Sequence, residues 1–483
     1  MKALKKITYI AIACLLLVSC LKDEGNYDYD MLTEIDLSDI QSQTYNVFVG
    51  DILTITPELG ESISEENLEF LWARRYVDDN SDFQLDTIST DKTLDVAINL
   101  APGNHTFILD VLNTERVYRK KVFFDVLVET PFDKGWVILK EKGTATDFDY
   151  YSDITEKLSE NVLENITGVN LSGKPVSSGH IFNSWNGYSQ LNILSEDGGV
   201  FLDATSMLEI GTWEEQWKPT YLELPFSGTS ISYNGRLKTL VAGGKIFPYS
   251  TDFQNPISEG LDWFELPVKG DYYANGMLCG WYTGLLVYDE LNRRYINYSG
   301  NTFDEFEEIS VNIEEQPFDP NNLQMNVLYM DNDELEAYNG NVVSFLKADD
   351  GSYYTHEFKT HRRDGFTVAY HEKLPDGAIS DMSVYAVSTK LPFSYMSNGN
   401  KIHRYNRDSY QLQTDYITAE GNITAMGLSK DGKNLAVATD NGAGSKITFY
   451  DLFNDELVLM TLETDSKVVK LMQKWDVQSY QLR

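Results

Sequence analysis

The chain has 483 residues, with 39 Lys and Arg against 74 Asp and Glu, for a formal net charge of −35. That balance excludes the basic footprint that nucleic acid and anionic lipid surfaces demand, so no nucleic-acid partner is expected. The acid is spread along the chain, with one dense block at "DEFEEISVNIEEQPFDP". It suits solubility on a crowded surface, or more weakly the attraction of cationic ligands such as basic peptides.

At the N-terminus, Lys2, Lys5 and Lys6 precede an apolar stretch from Ile7 to Val18, interrupted by Thr8. A spanning helix needs about 20 residues, so this shorter run reads as a signal peptide. Its end, Leu17-Val18-Ser19-Cys20, resembles the lipobox of bacterial lipoproteins. The resemblance implies cleavage before Cys20, a diacylglycerol on its thiol and acylation of its amine. The alternative is an ordinary signal peptide followed by a chance cysteine. Several acyl chains anchor firmly, each buried methylene contributing about 0.8 kcal/mol. Residues 1–19 are thus expected to be removed, and 20–34, rich in acids with Gly25 and Asn26, to form a lipidated tether. Of the 3 cysteines, Cys14 leaves with the leader and Cys20 carries lipid, so Cys279 has no intramolecular partner. In "NGMLCGWYTG", with no histidine near, it reads as a small buried hydrophobe rather than a catalytic thiol.

From Ile35 the pattern turns to short alternating strands: "YNVFVGDILTITPEL", "LEFLWARRYV", "KTLDVAINL", "HTFILDVLN" and "RKKVFFDVLVET". Period-2 apolar positions between turn residues predict a β-sandwich of immunoglobulin type over 35–130. Trp72 falls where such a sandwich carries a core tryptophan on its third strand. No cysteine pair accompanies it, which excludes an antibody-type domain.

A second regime runs over 131–483. Strand-like runs begin at "GWVILKE", "SQLNILSEDGGVFLD", "RLKTLVAGGKIFPYS", "TGLLVYDELNRRYINYS", "NVLYMDNDEL", "SVYAVSTKLPFSYM" and "NITAMGLSKDGKNLAVAT". A spacing of about 40 to 55 residues is that of a four-stranded propeller blade, which predicts a β-propeller of about seven blades. One or two large β-sandwiches are the alternative. The last run is the clearest: continued as "LSKDGKNLAVATDNGAGSKITFYDL", it resembles a WD-repeat-type blade, with a strand ending in the aromatic-acid pair Tyr450-Asp451. A helix is expected at "DITEKLSENVLENI", where Ile154, Leu158 and Ile166 have roughly helical spacing. The fold class expected is therefore all-β, an N-terminal immunoglobulin-type β-sandwich followed by a β-propeller.

Taken together, "SCLKDEGNYDY", "FLWARRY", "APGNHTFILDV" and "VETPFDKGWVIL" resemble PKD-like lipoproteins encoded with SusC/SusD-type transporters. Lys22, Asp23 and Glu24 are similar to the Lys-acid-acid signal that sends such lipoproteins to the outer face. The resemblance implies an outer-membrane, surface-exposed accessory of a TonB-dependent nutrient importer. Its partners would be a SusC-like barrel, a SusD-like lipoprotein and further surface lipoproteins. Its ligand would be an oligopeptide or a glycan.

The sequence carries no recognisable catalytic motif, metal-site spacing or phosphate-binding loop. His356, His361 and His371 cluster in "YYTHEFKTHRRDGFTVAYHE", but a zinc protease needs His-Glu-x-x-His on a helix. Residues five apart on a strand face opposite ways, so His356 and His361 read as exposed strand histidines. Asp331 and Asp333 lack the rest of an EF-hand loop. "KADDGSYY" and "LSKDGKNL" read as Asp-Gly hairpin turns. With 74 acids, paired carboxylates carry no information, and a propeller hydrolase or lyase stays as the alternative function. Aromatics interleaved with Asn, Ser and Gly are the remaining signal. Trp185, Tyr188, Trp213, Trp217, Trp281 and Tyr282 are the candidate ligand or partner contacts, while Trp72 and Trp136 are assigned to the core.

Overall fold

The computed structural model describes residues 35–60, 65–77, 82–115, 118–168, 170–183, 188–212, 228–234, 237–250, 267–281, 284–298, 306, 309, 311–336, 339–361, 365–454 and 457–474. The chain divides into two units between Val128 and Glu129.

In the first unit, a five-stranded sheet runs in the order Thr44–Phe48, Tyr118–Glu129, Gly103–Asn113, Leu68–Val77, Phe83–Ser89, with antiparallel pairing among the last four. Ile52–Ile55 pairs separately with Leu94–Ala97. Alternation decides which side is inward: along Tyr118–Glu129, Val122, Phe124, Val126 and Val128 are buried, while Lys121 and Phe123 face solvent. Leu53, Ile55 and Leu94 from the two-stranded pair close over the same core as Trp72, Phe107 and Phe124. Trp72, on the third strand, is wholly enclosed, edge-on to Phe124 at 5.9 Å. Its indole N–H donates to Asp91 O at 2.8 Å, so the burial leaves no polar group unmet.

The second unit is built from antiparallel sheets, seven among the described residues. The second to seventh begin with Pro175–Asn183, Gly228–Asn234, Ala274–Trp281, Met325–Glu336, Tyr385–Val387 and Ile423–Leu428, and the later strands of each follow in chain order. The first sheet differs. Gly135–Lys142 and Ala145–Ser152 come from its start, but its innermost strand, Lys467–Lys474, comes from the far end of the chain. That strand lies between Ile423–Leu428 and Pro175–Asn183, and the other first strands lie against one another in order. The unit has a β-propeller-type fold, with its apolar residues packed between neighbouring sheets.

Turn chemistry repeats from sheet to sheet. Asp203 Oδ1 accepts from Thr205 N and Ser206 N, Asp451 Oδ1 from Phe453 N, and Asn406 Oδ1 from Asp408 N and Ser409 N. Each residue ends a strand and organises the turn after it, because a short side-chain acceptor can satisfy nearby amides. Asp350-Gly351 sits at the hairpin between Asn339–Ala348 and Tyr353–His361.

The helix expected from Asp153 to Ile166 is not what forms. Leu158–Ser159 pairs with Ala145–Ser152, and only Leu163–Thr167 turns, as a short π-helix. Glu156 and Asn161 take left-handed φ of 54° and 51°, which an α-helix cannot contain. Asn161 N donates to Asp149 Oδ1 at 2.8 Å and pins that break.

Candidate functional site at the closing junction

Where the last sheet meets the first, a cavity of about 410 Å³ opens within the second unit. Its floor is aromatic. Antiparallel register sets Trp136 opposite Tyr151, and Ser445–Asp451 contributes Phe449 from the seventh sheet. Phe449 lies 5.2 Å from Trp136 at 77° and 6.2 Å from Tyr151 at 41°. All three rings are largely buried, leaving only a small apolar surface at the base.

Both signs of charge line the walls: Lys134, Lys430 and Lys474 with Asp153, Glu156 and Asp431. Gln473 ties the two sheets together. Its Oε1 accepts from Lys430 N at 2.8 Å, and its Nε2 donates to Asp153 Oδ2 at 3.2 Å. Lys474 Nζ donates to Phe132 O at 2.5 Å and Asp133 O at 2.9 Å. Burial pushes the Asp153 carboxyl up, against the pull of Lys134 and Gln473. The Tyr151 hydroxyl is also raised, first by burial and then by Glu156 and Asp153.

The Asp-Gly turn of "LSKDGKNL" forms one wall. Ser429 Oγ donates to Asp431 Oδ1 at 2.6 Å, and Lys433 N reaches the same oxygen at 3.1 Å. Burial raises Asp431, but Ser429 and Lys433 together outweigh it and hold the carboxyl below its ordinary value. Gly432 is required twice over: φ is 73°, and a Cβ there would meet Ser388 Oγ at 2.7 Å. Beyond the cavity, His180 bonds Ser189 Oγ at 2.8 Å through Nε2. Burial, then Lys474 and Lys430, push its ring down to about 3. Chemically, the arrangement offers ring faces below and donors, acceptors and ions of both signs around them.

A second polar cluster lies in the fifth sheet, and it corrects the expectation of exposed histidines. His356 is fully buried, stacked on Phe318 at 3.8 Å, and pairs across the strands with Ser344 on one side and His371 on the other. Neither of its ring nitrogens has a hydrogen-bond partner. Burial, then His371, hold it well below the ordinary imidazole range. Alternation predicts that His356 and His361 face opposite ways, but it cannot say that the His356 side packs against Phe318.

Of the expected contacts, Trp185, Trp213, Trp217 and Tyr282 lie outside the described residues, as do Cys20, Lys22, Asp23 and Glu24. Tyr188 begins the strand Tyr188–Ser195 and Trp281 ends Ala274–Trp281, each beside a hairpin tip. The cavity is built from other residues. Trp136 is in the core, as expected, and also lines the cavity, while Tyr151, Phe449, Gln473 and Lys474 have no local signal in the sequence. The Asp-Gly turn at Asp431 and the strand end Tyr450-Asp451, next to Phe449, are the local signals nearest to its lining.

Residues 20–175 match a family model described as the PKD-like family. No curated protein matches the chain. Among solved structures, a quinonprotein alcohol dehydrogenase-like protein from Bacteroides thetaiotaomicron is similar at 17% identity and TM-score 0.44, over 89% of this chain and 96% of that one. The Cps50 (Swd1) β-propeller domain of Myceliophteria thermophila is similar at 12% identity and TM-score 0.43, over 63% and 91%. A DUF4784 family protein from Bacteroides caccae is similar at 11% identity and TM-score 0.33, over 90% and 97%.

Proposed function

We propose that this chain is a non-enzymatic, lipid-anchored binding protein on the outer face of the outer membrane. In this reading a PKD/immunoglobulin-like sandwich carries a seven-bladed propeller. It serves as an accessory subunit of a SusC/SusD-type TonB-dependent importer and captures its oligopeptide or glycan substrate. The observation that carries the binding role is the cavity at the closing junction, whose aromatic floor and mixed-charge walls suit a polar ligand with apolar faces. Two sheets over one core support the sandwich, and seven consecutive sheets among the described residues support the blade number. The lipobox-like end of the leader and Lys22-Asp23-Glu24 support the location.

Co-purification from detergent-solubilised outer membranes tests the assembly. A barrel-forming transporter and a second lipoprotein are expected with the chain. Recovery of the chain alone, or from the soluble fraction with an unacylated Cys20, would overturn the reading. One observation favours a hydrolase instead: Asp153, a carboxyl raised by burial, lines the cavity as a general acid would. Turnover of peptides or glycans that is lost in Asp153→Asn would establish it.

A further inference from the structure

The outer strand of the seventh sheet, Leu457–Thr464, differs from that of the sixth. Leu457, Val458 and Leu459 are 58%, 48% and 48% exposed, and Phe453 in the turn before them is 60% exposed. The corresponding strand of the sixth sheet, Gln411–Thr418, exposes Gln411, Gln413, Thr414 and Asp415 instead. Exposed apolar edges invite pairing with another chain, and proteins ordinarily blunt them with charge or proline. Here the first charged residue in the strand is Glu463, near its far end, and the one interruption is a β-bulge at Leu459, opposite Phe449 and Tyr450.

Among the described residues, no strand pairs with the outer side of Leu457–Thr464. An edge strand presents alternating N–H and C=O groups along that side, at the roughly 3.3 Å per residue repeat of an extended peptide. A glycan has no matching alternation of main-chain donors and acceptors. The edge is also continuous with the cavity, because Leu459 and Met460 line both. The cavity brings three lysines and three carboxylates to the end of this edge. That field complements an occupant carrying both charges, as a peptide does through its termini and side chains.

We propose that the ligand is an extended oligopeptide that adds a strand to Leu457–Thr464 and lays one apolar or aromatic side chain on the floor of Trp136, Tyr151 and Phe449. The inference deepens the binding role argued above and rests on it. Main-chain pairing would supply affinity without regard to sequence, and the cavity would select the one side chain that fills it.

The test is hydrogen exchange on the mature full chain in detergent, with a tryptic digest of casein as peptide probe and maltoheptaose as glycan probe. With free peptide at about ten times its Kd, the outward amides of Leu457–Thr464 should exchange roughly tenfold more slowly. Maltoheptaose should leave them unchanged. Val458→Lys and Leu459→Asp, both at exposed positions, should each abolish the slowing while the other strands of the sheet keep their protection. Slowing by maltoheptaose but not by peptides, no slowing by either, or slowing that survives both substitutions would each overturn the proposal. Because this readout needs no importer, its failure is distinct from failure of the co-purification.

Discussion

Lys140 Nζ lies 2.6 Å from Asp149 Oδ1, and both side chains are shut away from solvent. The same ammonium reaches Asp465 Oδ1 at 2.8 Å, in the turn that leads into the closing strand. Burial nevertheless pushes the Asp149 carboxyl up, and Lys140 only partly counters it. For this carboxyl, desolvation is the larger influence, as it can be in enclosed pairs. Lys140→Met, which strands Asp149, should cost about 3–5 kcal/mol in urea unfolding. Adding Asp149→Asn should recover most of this, because the amide oxygen still accepts from Asn161 N. A double variant as unstable as the single one would show that the charge pair itself holds the sheet.

Acid should loosen the fifth sheet. Burial, then His371, hold His356 well below its ordinary value. The unfolded chain therefore takes up this proton first, near pH 6.5. The stabilising contribution is complete above that pH and is lost as pH falls. His356→Phe removes one such group, so its stability should fall less steeply between pH 6.5 and 5, by about 1.4 kcal/mol per pH unit. Comparison with the parent chain cancels the carboxylates raised by burial, Asp147 and Asp153, which act with the opposite sign. Parallel pH profiles for the two proteins would refute this assignment.

Closure also depends on a close backbone approach. A Cβ on Gly427 would meet Leu471 O at 2.6 Å, where the seventh sheet's first strand faces the closing strand. Gly427→Ala should cost about 1–3 kcal/mol, the range typical of overpacking. It should also raise hydrogen exchange in Lys467–Lys474 before it does so elsewhere.

At the cavity, Gln473 satisfies one group on each side of the junction, 2.8 Å from Lys430 N and 3.2 Å from Asp153. Gln473→Leu leaves both without that partner. A loss of about 1–3 kcal/mol is expected from the unmet amide, together with weaker binding of casein peptides in the exchange experiment. Unchanged binding would place the ligand away from this wall.

Much of the fold was legible in the chain because its signals are local. Period-2 alternation marked the strands and the all-β class, Asp-Gly marked hairpins, and Trp72 marked a core position. The misread helix shows the limit: spacing at Ile154, Leu158 and Ile166 looked helical, but Asp149, from another strand, captured Asn161 N and broke it. The candidate aromatic contacts rest on their interleaving with Asn, Ser and Gly, and Trp185, Trp213, Trp217 and Tyr282 lie outside the described residues. The cavity instead arises from residues as far apart as Gln473 and Asp153, 320 positions distant, and from rings such as Phe449 with ordinary strand surroundings. Backbone alternation determines which side chains share a face, and that much the amino-acid sequence decided by itself. Which sheet a face meets depends on the pairing of Lys467–Lys474 with Gly135–Lys142, an event between chain ends that only the tertiary structure settles.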